Sequence, residues 1–213
     1  MAPLSVRSLS LRRNFSWTLL GNVIYAGCQW AMLVVIAKLG TPVMVGQFAL
    51  ALAIVMPVII FANLQMRGLQ STDARREFLF GDYLAVRLLT AVLALVIIGG
   101  IVLIAWHPRE TVLVIMAVAL TRTFDSLSDV FYGLVQQHER MDRIAISLII
   151  QGTVQLAALA GIVFLTRSLL LAVLGMAVIS ASVLVLYDFR SARMVLQGSA
   201  GRDSSAIGWG WPG

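Results

Sequence analysis

TRTFDSLSDVFYGLVQQ, residues 121–137, closes an apolar segment that begins near Thr111, yet it carries Arg122, Asp125 and Asp129. At about 100° per residue on a helix, Asp125 and Asp129 fall about 60° and 20° from Arg122, so the three charges share one face. Ser126, Gly133 and Gln136 fall within about 40° of the same line. A charge at the centre of a membrane helix costs roughly 2.5–3.5 kcal/mol before pairing. A stripe of this kind cannot face lipid, and the surrounding helices have to supply it with water, partners or cargo.

The composition requires a membrane setting. Of 213 residues 60% are hydrophobic and 12% charged, about half the charged share of a soluble domain. The fold class expected is all-α: a polytopic membrane protein built as one bundle of six transmembrane helices. The spans are expected at about 14–37, 43–66, 83–106, 111–137, 144–165 and 169–187, each long enough to cross a hydrocarbon core of about 30 Å. A basic leader, 1–13, precedes the bundle of 14–190, and a Gly/Ser-rich tail, 191–213, reads as disordered. Trp209 and Trp211 in that tail are candidates for interface contact.

Net charge is +6, but the basic residues lie between apolar spans, which suits contact with the lipid bilayer and argues against nucleic acid as a partner. Arg7, Arg12, Arg13, Arg67, Arg75, Arg76, Arg140, Arg143, Arg190, Arg193 and Arg202 fall on one side, against Lys38, Arg109 and Arg167 on the other. Positive charge stays cytoplasmic, which predicts both termini inside.

Several spans carry polar lines of their own. On the first, Asn14, Thr18, Asn22, Tyr25 and Gln29 all fall within about 40° of Thr18; they serve either hydrogen bonds between helices or a wall of a hydrated cavity. Pro57 interrupts the second span and is a candidate hinge. Arg87 lies one turn inside the third and is expected to snorkel to the interface rather than meet a substrate. Ser147, Gln151 and Gln155 repeat at i, i+4, i+8 on the fifth. The sixth reads as nearly featureless.

No enzyme motif is present: the sequence has no GxSxG, HExxH, CxxC or phosphate-binding glycine loop. No cofactor and no metal is expected. Cys28 is the single cysteine, so an internal disulfide is excluded. His107 has no partner at ligand spacing, and His138 and Glu139 point to different faces of a helix. Three uses of the stripe remain: an ion pair that locks helices together, a polar face lining a transport path, or acid–base catalysis by Asp125 and Asp129. The second is preferred, and the chain is not expected to be an enzyme.

Several separated segments carry a family likeness. Asn63-Leu-Gln-Met-Arg67 with Ser71-Thr-Asp73, Phe80-Gly-Asp-Tyr83 with Arg87-Leu88, and Ser126-Leu-Ser-Asp-Val-Phe-Tyr-Gly133 with Gln137-His-Glu-Arg-Met-Asp142 resemble bacterial polysaccharide biosynthesis membrane proteins of the oligosaccharide (O-antigen-type) flippase kind, in the multidrug/oligosaccharidyl-lipid/polysaccharide exporter superfamily. Trp17, Gly21 and Leu39-Gly40 fit as well. The resemblance implies two six-helix bundles enclosing a cationic cavity, and flipping of an oligosaccharide linked to an isoprenoid diphosphate, in the bacterial inner (plasma) membrane. Arg122, Asp125 and Asp129 would then line the path, with Asn22, Tyr25 and Gln29 on the facing wall and Arg67 and Arg87 near the cytoplasmic mouth. The sequence holds one bundle where the family has two. A shortened reading frame, or a half-size transporter pairing with its own copy or a separate chain, is expected. A cation-coupled multidrug-type exporter and a non-transporting subunit of a glycan-assembly complex are the alternatives.

Overall fold

The computed structural model describes residues 10–72, 80–105, 107–137 and 139–194. The expected loop charges Asp73, Arg75, Arg76 and Glu77, together with Trp106, His138, residues 1–9 and the tail from 195 on, with its two tryptophans, lie outside the described residues. Helices α1 (Leu11–Leu39), α2 (Pro42–Ala62), α3 (Met66–Thr72), α4 (Phe80–Ile104), α5 (Arg109–Gln137), α6 (Met141–Thr166) and α7 (Leu169–Val183) follow one another, and α7 continues through a π-helical turn, Leu184–Asp188. Among the described residues there is no strand, and six helical spans are long and apolar enough to cross a membrane: Leu11–Leu39, Pro42–Leu69, Phe80–Ile104, Arg109–Gln137, Met141–Thr166 and Leu169–Met194. The all-α, six-span architecture matches the expectation. Its edges differ: α1 takes in Leu11–Arg13 of the expected leader, and the sixth span runs to Met194, into the expected tail.

Local chemistry sets the turns. Thr41 caps α2, its hydroxyl accepting from the Met44 amide at 3.3 Å, and Pro42 occupies the first helical position, where no amide hydrogen is needed. Arg167 ends α6 in the left-handed region (φ 53°) and its Nη1 donates to the Leu39 carbonyl at 2.5 Å, tying two turns on the same side of the bundle. Helix α5 is the axis: α2, α3, α4, α6 and α7 all pack on it. Helix α1 lies along α6, where a Cβ on Gly21 would come within 2.7 Å of the Ala145 Cα. Only glycine permits that approach, the device membrane helices use to bring backbones together.

The interior is zoned. One half is a dry core of Met32, Ile36, Phe48, Val55, Ile98, Ile115, Leu159, Val163 and Met176 with their neighbours. Polar groups collect in the other half, toward the end that carries Asn14, Arg67, Arg87 and Asp188. Pro57 lies inside α2, which continues through it. The second span breaks later, at a turn over Asn63–Gln65, where Leu64 and Gln65 take φ of 48° and 52°. Left-handed backbone costs roughly 1–2 kcal/mol per non-glycine residue. Irregular backbone at membrane depth is tolerated where it is buried in protein or lines a cavity, and this one does the latter.

Candidate polar cavity in the bundle

A cavity of ≈ 280 Å³ opens among α1, α2, α5 and α6. Asn22, Tyr25, Asn63, Arg67, Arg122, Asp125, Ser126, Asp129, Tyr132 and Gln151 line it, with Met56, Ile59, Ile60 and Leu148 as its apolar wall. Six of the eight residues singled out from sequence as a substrate path therefore meet in one space. The other two stand one contact behind it: Gln29 accepts from Arg122, and Arg87 donates to Asn63.

The α5 stripe resolves into two unlike ion pairs. Arg122 Nη1 meets Asp125 Oδ2 at 3.1 Å, one turn apart, with side chains 12% and 16% exposed. Arg122 also donates to Gln29 Oε1 at 2.9 Å and to the Tyr25 hydroxyl at 3.4 Å. Asp125 Oδ1 accepts from Ser180 at 2.8 Å and from Gln151. Gln155 supports Ser180 at 2.7 Å. This pair holds α1, α5, α6 and α7 together through bonds that satisfy both charges. The second pair is looser: Arg67 Nη1 and Asp129 Oδ1 stand 3.6 Å apart and are 35% and 32% exposed. Arg67 donates through Nε to Gln136 at 3.1 Å, and its guanidinium lies 5.5 Å over the Tyr132 ring, a cation–π arrangement.

Arg87 departs from the sequence expectation. It does not snorkel; it is buried, 1% exposed, and donates to Asn63 Oδ1 at 2.6 Å. The same oxygen accepts from Ser126 at 2.7 Å. The cause is the break after α2, which turns Asn63 inward and gives a guanidinium two turns inside α4 a partner. Among the described residues its Nε has no partner.

The sixth span is not featureless, and this is what the sequence reading missed. Ser180 reaches Asp125, and Asp188, 2% exposed, accepts from Ser147 Oγ at 2.6 Å. The Tyr132 hydroxyl stands 2.8 Å from the same Ser147 oxygen. A count of polar side chains by face hides this, because a straight helix sets Asp188 about 80° from Ser180. The π turn absorbs one residue and brings the two to within about 20°. The signal available was the Ser147–Gln151–Gln155 line of α6, which calls for polar partners on a neighbouring span, and Ser180 and Asp188 are the side chains that meet Gln155 and Ser147. Among the described residues no group of His, Cys, Asp and Glu could hold a multi-ligand metal centre.

Residues 11–197 match the family described as Polysaccharide biosynthesis protein. The chain belongs to this family. Together with its six apolar spans, membership makes it a multi-pass membrane protein of the polysaccharide biosynthesis family. The capsular polysaccharide biosynthesis protein CapF of Staphylococcus aureus is 28% identical over 136 residues, which are 64% of this chain and 33% of the relative. The matched region thus spans about a third of the length of that curated relative. No solved structure matches the chain.

Proposed function

We propose that this chain forms one bundle of a translocator that flips a lipid-linked oligosaccharide across the bacterial plasma membrane for cell-surface polysaccharide synthesis. The observation that carries the reading is the cavity itself: cationic, amide and hydroxyl groups converge in a space between spans where lipid-facing side chains would be apolar. Family membership, and a relative named for capsular polysaccharide biosynthesis, support a glycan cargo. The cargo proposed is an oligosaccharide on an isoprenoid diphosphate, of capsular or O-antigen type. The basic residues favour both termini on the cytoplasmic side, so the cavity opens toward the leaflet where the precursor is made. A second six-helix bundle, from its own copy or a separate chain, would close the path, because alternating access rocks one bundle against another.

The two ion pairs divide the work. Arg122–Asp125 is internally satisfied and aligns the helices. Arg67 is the residue that meets the diphosphate, since its bond to Asp129 is long and both groups are a third exposed. A diphosphate offers the planar fork of arginine shorter, charge-assisted bonds than Asp129 does. Asn22, Tyr25 and Gln151 then face the sugar hydroxyls.

In a producing cell whose own copy is replaced, Arg67→Ala is expected to abolish surface polysaccharide and to leave lipid-linked precursor accumulating on the cytoplasmic leaflet. Protein abundance in the membrane should not change. Normal polysaccharide from a stably inserted Arg67→Ala chain overturns the assignment.

A further inference from the structure

Arg143 extends the Ser147–Gln151–Gln155 line of α6 by one more step of four residues, toward the end of the bundle where α6 begins and the sixth span finishes. The deeper positions of that line all have polar partners on neighbouring helices: Gln155 meets Ser180, Gln151 meets Asp125 and Ser147 meets Asp188. Arg143 has only a thioether. Its Nη1 rests on the Met194 sulfur at 3.9 Å, and its Nε is buried with no hydrogen-bond partner among the described residues. Methionine sulfur is a weak acceptor, so a fork of donors built for carboxylate or phosphate stands unfilled.

The acids of this rim do not fill it. Asp142 is held through both oxygens by Arg140, at 2.9 Å each, and takes the Arg143 backbone amide rather than its side chain. Glu139 is exposed in the turn before α6, and Asp188 is buried against Ser147. The sixth span brings further cations. Arg193 and Met194 fall about 60° and 40° from Arg190 on the helix, so the contact of Met194 with Arg143 sets Arg190 beside the α6 arginine. Arg190 and Arg193 are exposed, and neither has an ion pair among the described residues. One turn deeper on the same side lie Leu186 and Phe189, 64% and 52% exposed. The span Leu169–Met194 has 26 residues, about 39 Å of helix against about 30 Å of hydrocarbon. Measured from Leu169, its arginines stand at headgroup level, and Leu186 and Phe189 at the edge of the hydrocarbon.

We propose that this rim binds one anionic glycerophospholipid, its phosphate held between Arg143 and Arg190 and its chains laid over Leu186 and Phe189. Met194 is half exposed and unbranched, so it turns aside and leaves the Arg143 fork to two phosphate oxygens. Arg193 adds a second cation at the same level. Inorganic phosphate would meet the arginines but leave the apolar strip below them uncovered, so the site selects an amphiphile. A zwitterionic headgroup carries its own ammonium into a basic rim and is disfavoured, whereas basic clusters between membrane helices suit anionic lipid. The bound lipid bridges α6 and the sixth span, and so completes at the membrane surface the series of polar contacts that Gln155–Ser180 and Ser147–Asp188 make deeper down. The site lies outside the cavity, none of whose lining residues it uses.

Binding is read on the purified full chain in detergent, without transport, so its outcome is separate from that of the flippase reading. Native mass spectrometry counts the lipids retained when phosphatidylglycerol or phosphatidylcholine is added at matched concentrations. Wild type should keep one phosphatidylglycerol about tenfold or more tightly than phosphatidylcholine. Arg143→Gln should remove that preference, and Arg143→Lys should recover only part of it, because a point charge lacks the fork. Arg190→Gln with Arg193→Gln changes exposed side chains only, so this chain folds and should bind phosphatidylglycerol about tenfold more weakly. Lys38→Gln with Arg109→Gln removes the same charge at the opposite end of the bundle and should change nothing. Equal retention of phosphatidylglycerol by wild type and a monodisperse Arg190→Gln, Arg193→Gln chain overturns the site, as does an equal loss in the Lys38→Gln, Arg109→Gln chain. Inorganic phosphate and farnesyl diphosphate are then added as competitors. Displacement by phosphate alone assigns the rim to a free anion, and displacement by farnesyl diphosphate below the phosphatidylglycerol concentration assigns it to an isoprenyl diphosphate; either result overturns the phospholipid as occupant.

Discussion

Removing Arg122 alone should damage this bundle more than removing Arg122 and Asp125 together. In the single variant Arg122→Met, Asp125 keeps Ser180 and Gln151 as donors but loses the cation paired with it at 3.1 Å. Gln29 and Tyr25 lose their donor as well. With side chains 12% and 16% exposed, the pair is shielded enough for the buried-pair range to apply. Truncating one partner of such a pair costs about 3–5 kcal/mol, whereas exchanging both for apolar groups of similar volume is often near neutral. The expected loss is therefore about 3 kcal/mol for Arg122→Met and under about 1.5 kcal/mol for Arg122→Met with Asp125→Leu. The difference is a factor of about 10 or more in the folding equilibrium. Equilibrium unfolding of the purified chain in mixed micelles, followed by circular dichroism across an SDS series, measures all four corners of the cycle. If the double variant loses the sum of the two single losses, the pair is not acting as a unit and the alignment role assigned to it is refuted.

Gly21→Ala should destabilise the α1–α6 contact by about 1–3 kcal/mol, although alanine favours the helix itself by about 1 kcal/mol; a raised midpoint of thermal unfolding would contradict the close approach at Ala145. Arg67→Ala should cost less than about 1 kcal/mol in the same assay, as an exposed pair does, so that its effect on surface polysaccharide separates from stability. Gln65→Gly should stabilise the chain by about 1 kcal/mol by relieving the φ of 52°; destabilisation would mean that the Gln65 side chain, not backbone geometry, sets the turn. Tyr132→Phe should cost about 1 kcal/mol for its hydrogen bond to Ser147, and an unchanged midpoint would show that the hydroxyl has another use.

The sequence made the spans readable because hydropathy over about 20 residues reports burial in lipid directly. Periodicity at 100° made the α5 stripe and the α1 line readable, and Arg122, Asp125, Ser126 and Asp129 of the first meet Asn22 and Tyr25 of the second at the cavity. What stayed hidden depended on departures from regular helix. No glycine or proline marks Asn63–Gln65, so the break in the second span, and with it the partner that buries Arg87, left no local signal. Asp188 was hidden by the opposite distortion, a π turn that rotates it into line with Ser180. Helix rules place side chains well only while the helix stays regular, and here the irregular turns are what bring Asn63 and Asp188 to the polar half.

The division of the interior into a polar half and a dry half also has an electrical side. A membrane voltage falls where water and mobile charge are excluded, so most of it drops across the layer built from Ile36, Val55, Ile98, Ile115 and Val163. Each elementary charge that crosses this layer exchanges about 2.3 kcal/mol with the field per 100 mV. Charges that move only within the polar half, such as Arg67 and Asp129, cross less of it and exchange less. A step that moves the charged row past the dry layer is then more voltage-sensitive than loading of the cavity.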